Sequence, residues 1–98
     1  MYSLVLKNAK IIDGTGKPAY TADIGIVGEK IAAIGSIQQE ENCVDVSGKL
    51  VTPGFIDPHS HADCSLFLYP GCQSYVRQGI TTFVGGQCGD SNAPIRRY

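Results

Sequence analysis

The sequence predicts a mixed α/β chain in two parts: a small antiparallel β unit over residues 1–51, then a strand, helix, strand unit over residues 52–98. Three observations predict it. The first half is a series of short apolar runs broken by glycine turns, and its character changes at Thr52-Pro53-Gly54. A second β-rich run, Ile80-Thr81-Thr82-Phe83-Val84, then returns after a longer connection.

Tyr2 to Lys7 and Ala9 to Ile12 read as two short strands, and Asp13-Gly14-Thr15-Gly16-Lys17-Pro18 as a dense turn. Ala22 to Val27 and Lys30 to Ile34 flank the two-residue link Gly28-Glu29. That pattern predicts a hairpin, because glycine supplies the positive φ of a tight primed turn. Val44-Asp45-Val46 is a further short strand, and Ser47-Gly48 turns the chain into Leu50-Val51. Past Pro53-Gly54, Phe55-Ile56-Asp57 is a strand leading into Pro58-His59-Ser60-His61. Ser65 to Gln78 is expected to be mostly helical, with Pro70-Gly71 in its first turn and Gly79 as its stop. Strand, helix, strand in this order builds a parallel pair.

Composition narrows the function classes. The 98 residues carry 8 Lys+Arg against 9 Asp+Glu, a formal net charge of -1, which leaves no electrostatic footprint for nucleic acid or an anionic membrane. Hydrophobic residues at 43% against 17% charged are too apolar for a disordered tail. No apolar run reaches the roughly 18 residues of a membrane span, and the run at Met1 to Leu6 is too short for a secretory signal. A cytoplasmic protein is therefore expected. The four cysteines, Cys43, Cys64, Cys72 and Cys88, include no Cys-X-X-Cys pair and are not expected to form a disulfide framework.

His59 and His61 are the only histidines. At i and i+2 in extended chain they face one side, at the carboxyl end of a strand, where α/β barrels recruit ligands. Imidazole suits zinc. Cys88, just past the next strand in Gly85-Gly86-Gln87-Cys88-Gly89-Asp90-Ser91, is placed to reach the same rim as a thiolate ligand. Cys43, Cys64 and Cys72 read as buried, inert thiols. Asp63 reads as a solvated loop carboxylate, or as a partner that orients an imidazole. Gly14-Thr15-Gly16-Lys17 lacks the upstream glycine and following Ser/Thr of a phosphate loop, and Pro94 argues against a dinucleotide-binding helix after Gly89.

Taken together, Pro53-Gly54-Phe55-Ile56-Asp57-Pro58-His59-Ser60-His61-Ala62-Asp63 resembles the opening of the catalytic barrel in the amidohydrolase superfamily. Val76-Arg77-Gln78-Gly79-Ile80-Thr81-Thr82, with Gly86-Gln87-Cys88-Gly89-Asp90-Ser91-Asn92-Ala93-Pro94, is similar to the N-acyl-D-amino-acid deacylase branch. The resemblance implies that residues 1–51 are part of a small β-sandwich domain and that residues 52–98 are the first βαβ of a TIM-type (β/α) barrel, incomplete at this length. It also implies zinc as cofactor, in a site of one or two metal ions. His59 and His61 would hold one, often weakly bound, metal position, and Cys88 would hold the tighter zinc and bridge to the other. Gln87 stands where the branch has asparagine.

By the same resemblance, the remaining histidine ligands and the aspartate acting as general acid/base come from later strands. The substrate is a small N-acyl-D-amino acid, and the 98 residues alone are expected not to turn it over. Two rival readings are a cyclic amidase of the dihydroorotase or hydantoinase type, which typically bridges its metals with a carboxylated lysine, and a non-catalytic metal-binding module. Two parallel strands and one helix would leave open edges, favouring self-association.

Overall fold

The computed structural model describes residues 1–91, in two compact units that divide at Pro53 and Gly54. The stretch Asn92-Ala93-Pro94, used above in the resemblance and against a dinucleotide site, lies outside the described residues.

The first unit, Met1–Pro53, is a five-stranded sheet: β1 (Leu4–Ile11), β2 (Tyr20–Val27), β3 (Lys30–Gly35), β4 (Cys43–Asp45) and β5 (Leu50–Val51). Its order is β3-β2-β1-β4, with β5 also on β1. The hairpin forms at Gly28-Glu29, pairing Val27 with Lys30 across a Gly28 at φ +60°. The sheet is not purely antiparallel, however. β1 runs antiparallel to β2 but parallel to both β4 and β5. After β3, on the outer side of β2, the chain returns to the free side of β1, so β4 enters in the direction of β1 instead of hairpinning back. The Gln39 amide holds that return: its Oε1 accepts from the Tyr2 N–H at 2.8 Å and its Nε2 donates to the Tyr2 carbonyl at 3.0 Å.

β1 is also one strand where two were expected. Asn8, at φ 59°, forms a bulge, and the register with β2 shifts between Leu6 and Ala9. An extra residue flips the pleat. Leu6 therefore packs with Ala9, Ile11 and Ile24 in the core, joined by Ala22, Ile26, Val46 and Val51. The bulge is satisfied by carboxylates: Asn8 donates its backbone N–H to Asp23 Oδ1 at 2.9 Å and its Nδ2 to Asp45 Oδ1 at 3.1 Å. Asp23 Oδ2 also takes Lys7 Nζ at 2.8 Å and the Ile37 N–H at 3.1 Å. The Lys7 contact, then the two backbone donors, hold the Asp23 carboxyl at about 2, below its ordinary 3.8.

The second unit, described from Gly54 to Ser91, contains β6 (Phe55–Asp57) and β7 (Ile80–Phe83), paired in parallel. Their connection is not the long helix expected over Ser65 to Gln78. It holds a 3₁₀ turn at Ala62–Cys64, further turns, and a single-turn α1 at Gln73–Val76. Pro70 explains the short helix, because it removes a donor and disfavours α conformation at Tyr69. Cys72, left-handed at φ 44° and ψ 38°, then starts α1, and Gly79, at φ +80°, ends the segment. A second 3₁₀ turn, Gln87–Gly89, follows β7.

Candidate metal centre

β6 and β7 lie side by side and point the same way, so the loops leaving their carboxyl ends emerge together. The first carries His59 and His61. Ser60 between them turns inward: it is 3% exposed, donates its N–H to the Val84 carbonyl, and its Oγ accepts the Ala62 N–H and meets Tyr75 Oη at 2.8 Å. That anchoring sends the flanking imidazoles the other way. Their ring centres are 5.7 Å apart, inclined at 62°. The Asp57 carboxylate tightens the turn by accepting the His59 N–H at 3.1 Å.

The second loop brings Cys88. Its Sγ is 3.5 Å from His59 Nε2, and one donor atom from each of His59, His61 and Cys88 lies within 4.8 Å of the others. All three side chains are exposed. Cys88 sits in left-handed backbone, φ 57° and ψ 24°, inside the 3₁₀ turn. A non-glycine residue there stores roughly 1–2 kcal/mol of strain. Such strain clusters where a side chain must be aimed.

Asp63 is the residue that holds this loop, a role the sequence reading missed. Its Oδ2 accepts the Gly86 N–H at 3.2 Å and the Ser91 hydroxyl at 3.3 Å. Gly85 is required beside it, because a Cβ at position 85 would lie 2.7 Å from the Asp63 Cγ. No local signal shows this, since the partners are 23 and 28 residues away.

The cysteines correct a second expectation. Cys64 is exposed, and Cys43 and Cys72 are half-buried; none of the three is the buried thiol foreseen, and all four cysteines are free. Short turns at the surface, not sheet core, carry Cys64 and Cys72. Cys64 gathers with His61 and Asp90, again with one donor atom from each within 4.8 Å. Its thiol is pushed up from the ordinary value, first by desolvation and then by the charges of Asp90 and Asp63. The spacing His61-X-X-Cys64 is the signal that would have found it, because residues three apart eclipse in a 3₁₀ turn.

Both donor sets suit zinc by their chemistry, imidazole nitrogen and thiolate sulfur being its usual ligands.

No family model matches the chain. Among curated proteins it is 45% identical over 93 residues to an N-acyl-D-glutamate deacylase of Alcaligenes xylosoxydans xylosoxydans, covering 93% of this chain and 19% of that protein. Among solved structures, a D-aminoacylase described as having a binuclear metal centre superposes with a TM-score of 0.88 at 41% identity, over 96% of this chain and 20% of the other. The N-acyl-D-glutamate deacylase of Bordetella bronchiseptica, in complex with zinc and a phosphonate inhibitor, gives 0.86 at 43% identity, over 95% and 20%. An L-hydantoinase of Arthrobacter aurescens is more distant, with a TM-score of 0.71 and 28% identity over 87% and 20%. The chain thus resembles the N-terminal part of the N-acyl-D-amino-acid deacylases in the amidohydrolase superfamily, and it spans about a fifth of their length.

Proposed function

We propose that this chain is the N-terminal portion of a zinc-dependent amidohydrolase that hydrolyses the amide bond of N-acyl-D-amino acids, and that it contributes His59, His61 and Cys88 to the metal site. The observation that carries this reading is the convergence of two imidazoles and one thiol within 4.8 Å beyond two parallel strands. The similarity to deacylases along nearly the whole chain supports the substrate class. Under this reading, residues 1–51 belong to the small β-sandwich domain and residues 52–98 to the first βαβ of the barrel. The substrate is a small molecule, the partners do not include nucleic acid or membrane, and the location is cytoplasmic.

Zinc held by these donors supplies Lewis acidity and an acidified water near neutral pH. The chain's own part is to hold and aim. Ser60 fixes the backbone between the imidazoles, and Asp63 fixes the loop that carries Cys88. Proton transfer to the leaving amine needs a general acid/base. The resemblance assigns that role to an aspartate of a later strand, so the 98 residues alone are inactive. A cyclic amidase is disfavoured because a thiol stands at 88, and because the hydantoinase likeness is the weaker one.

The test uses the longer protein that contains this chain. It should hydrolyse N-acetyl-D-amino acids in a zinc-dependent way, and Cys88→Ser should lower both bound zinc and rate. Unchanged zinc content and activity in Cys88→Ser would sink the ligand assignment. Zinc-dependent turnover by the purified 98 residues would sink the claim that they are inactive alone.

A further inference from the structure

We propose that His61, Cys64 and Asp90 form a second site for a thiophilic divalent cation, alternative to the His59, His61 and Cys88 set. The geometry is independent of the reading above. His61 caps the 3₁₀ turn Ala62–Cys64, and Cys64 donates its N–H back to the His61 carbonyl at 3.1 Å. Three residues make one turn of such a helix, so the imidazole and the thiol rise on the same side. Asp90 closes the second 3₁₀ turn, its N–H bonded to the Gln87 carbonyl at 3.0 Å, and its carboxylate reaches within 4.8 Å of both partners.

Charge distinguishes the two sets. With its thiol ionised, the Cys64 set brings a thiolate, a carboxylate and a neutral imidazole, two negative charges against a dication. The Cys88 set brings one. Ligation of Cys64 forms a metal to sulfur bond and releases the thiol proton to solvent. Sulfur with nitrogen favours zinc, cobalt or cadmium over magnesium or calcium. The two sites exclude each other, because a neutral imidazole offers a single lone-pair nitrogen and His61 belongs to both. The chain therefore binds one such ion in either of two positions that share a histidine.

Cobalt(II) tests this directly, since thiolate ligation gives a charge-transfer band in the near ultraviolet. The 98-residue chain is used with Cys43→Ser and Cys72→Ser, leaving only Cys64 and Cys88 to report, and circular dichroism confirms the fold of each variant. This background should bind one equivalent of Co²⁺. Adding Cys88→Ser should leave a reduced band, and adding Cys64→Ser to that should abolish it. Asp90→Asn in the Cys88→Ser chain should weaken Co²⁺ binding about tenfold or more. Cys88→Gly, suited to the left-handed backbone at 88, replaces Cys88→Ser if the serine variant does not fold. In the Cys88→Ser chain, the absence of a band, a band that survives the further loss of Cys64, or an affinity indifferent to Asp90→Asn overturns the second site. Two equivalents bound overturns the exclusion. A band indifferent to Cys88 but dependent on Cys64 would count against the Cys88 assignment alone.

Discussion

The two units solve the problem of being ordered in opposite ways. In Met1–Pro53, Val5, Ala9, Ile11, Ile24 and Ile37 are buried, and burial of aliphatic side chains holds a five-stranded sheet together. In the second unit Ala62 is the one buried apolar side chain among the described residues, beside the buried Ser60. There, hydrogen bonds from Ser60 and Asp63 fix two short loops instead. The difference teaches where a site can be built. Donors must stay accessible and aimed, so the unit that carries them relies on polar anchors and tolerates a strained residue.

The contrast can be tested, beginning with the largest effect. Ile24→Ala removes the centre of the aliphatic cluster and should cost about 2–5 kcal/mol, seen as a lower urea midpoint. A loss under 1 kcal/mol would mean the sheet does not depend on that cluster. Gly85→Ala forces a methyl against Asp63 and should cost about 1–3 kcal/mol. It should also weaken Co²⁺ binding about tenfold, since it displaces the anchor of the Cys88 loop. Unaltered Co²⁺ affinity would remove Asp63 from the positioning of Cys88.

Cys88→Gly should act in two directions at once. It releases left-handed strain and so raises stability by about 1 kcal/mol in thermal melts, while Co²⁺ loses one thiolate donor. A destabilised Cys88→Gly would show that the thiol itself packs the loop.

The smallest effect is set by pH. Asp23 titrates at about 2 in the fold against an ordinary 3.8, so its contribution is complete above pH ~4 and is lost as pH falls toward 2. Asp23→Asn should flatten that part of the stability profile measured by circular dichroism. An unchanged slope would assign the acid sensitivity to other carboxylates.

Much of this architecture was readable from local chemistry. The Gly28-Glu29 hairpin was legible because a tight turn is decided by the residues in it. His59 and His61 share a face through simple strand alternation, and Cys88 follows the next strand at the same end. What escaped depends on partners remote in sequence. The parallel entry of β4 rests on a crossover tied to Tyr2, 37 residues from Gln39. The Asn8 bulge merges two expected strands because Asp23 and Asp45 satisfy it. The long helix failed at Pro70, where a proline placed in a first turn instead separates turns from a single helical turn. Cys64 was misread as core because Asp90 lies 26 positions away.

The central place of β1 also sets a timetable. Of the five strands of this sheet β1 is synthesised first, yet it pairs with β2 on one side and with β4 and β5 on the other, and its last partner, β5, ends at Val51. At roughly 5–20 residues per second, the nascent chain carries an unsatisfied apolar strand for several seconds before its second edge is closed. During that interval β1 is the segment most exposed to wrong pairing, and a chaperone that binds extended apolar peptide would find its target there.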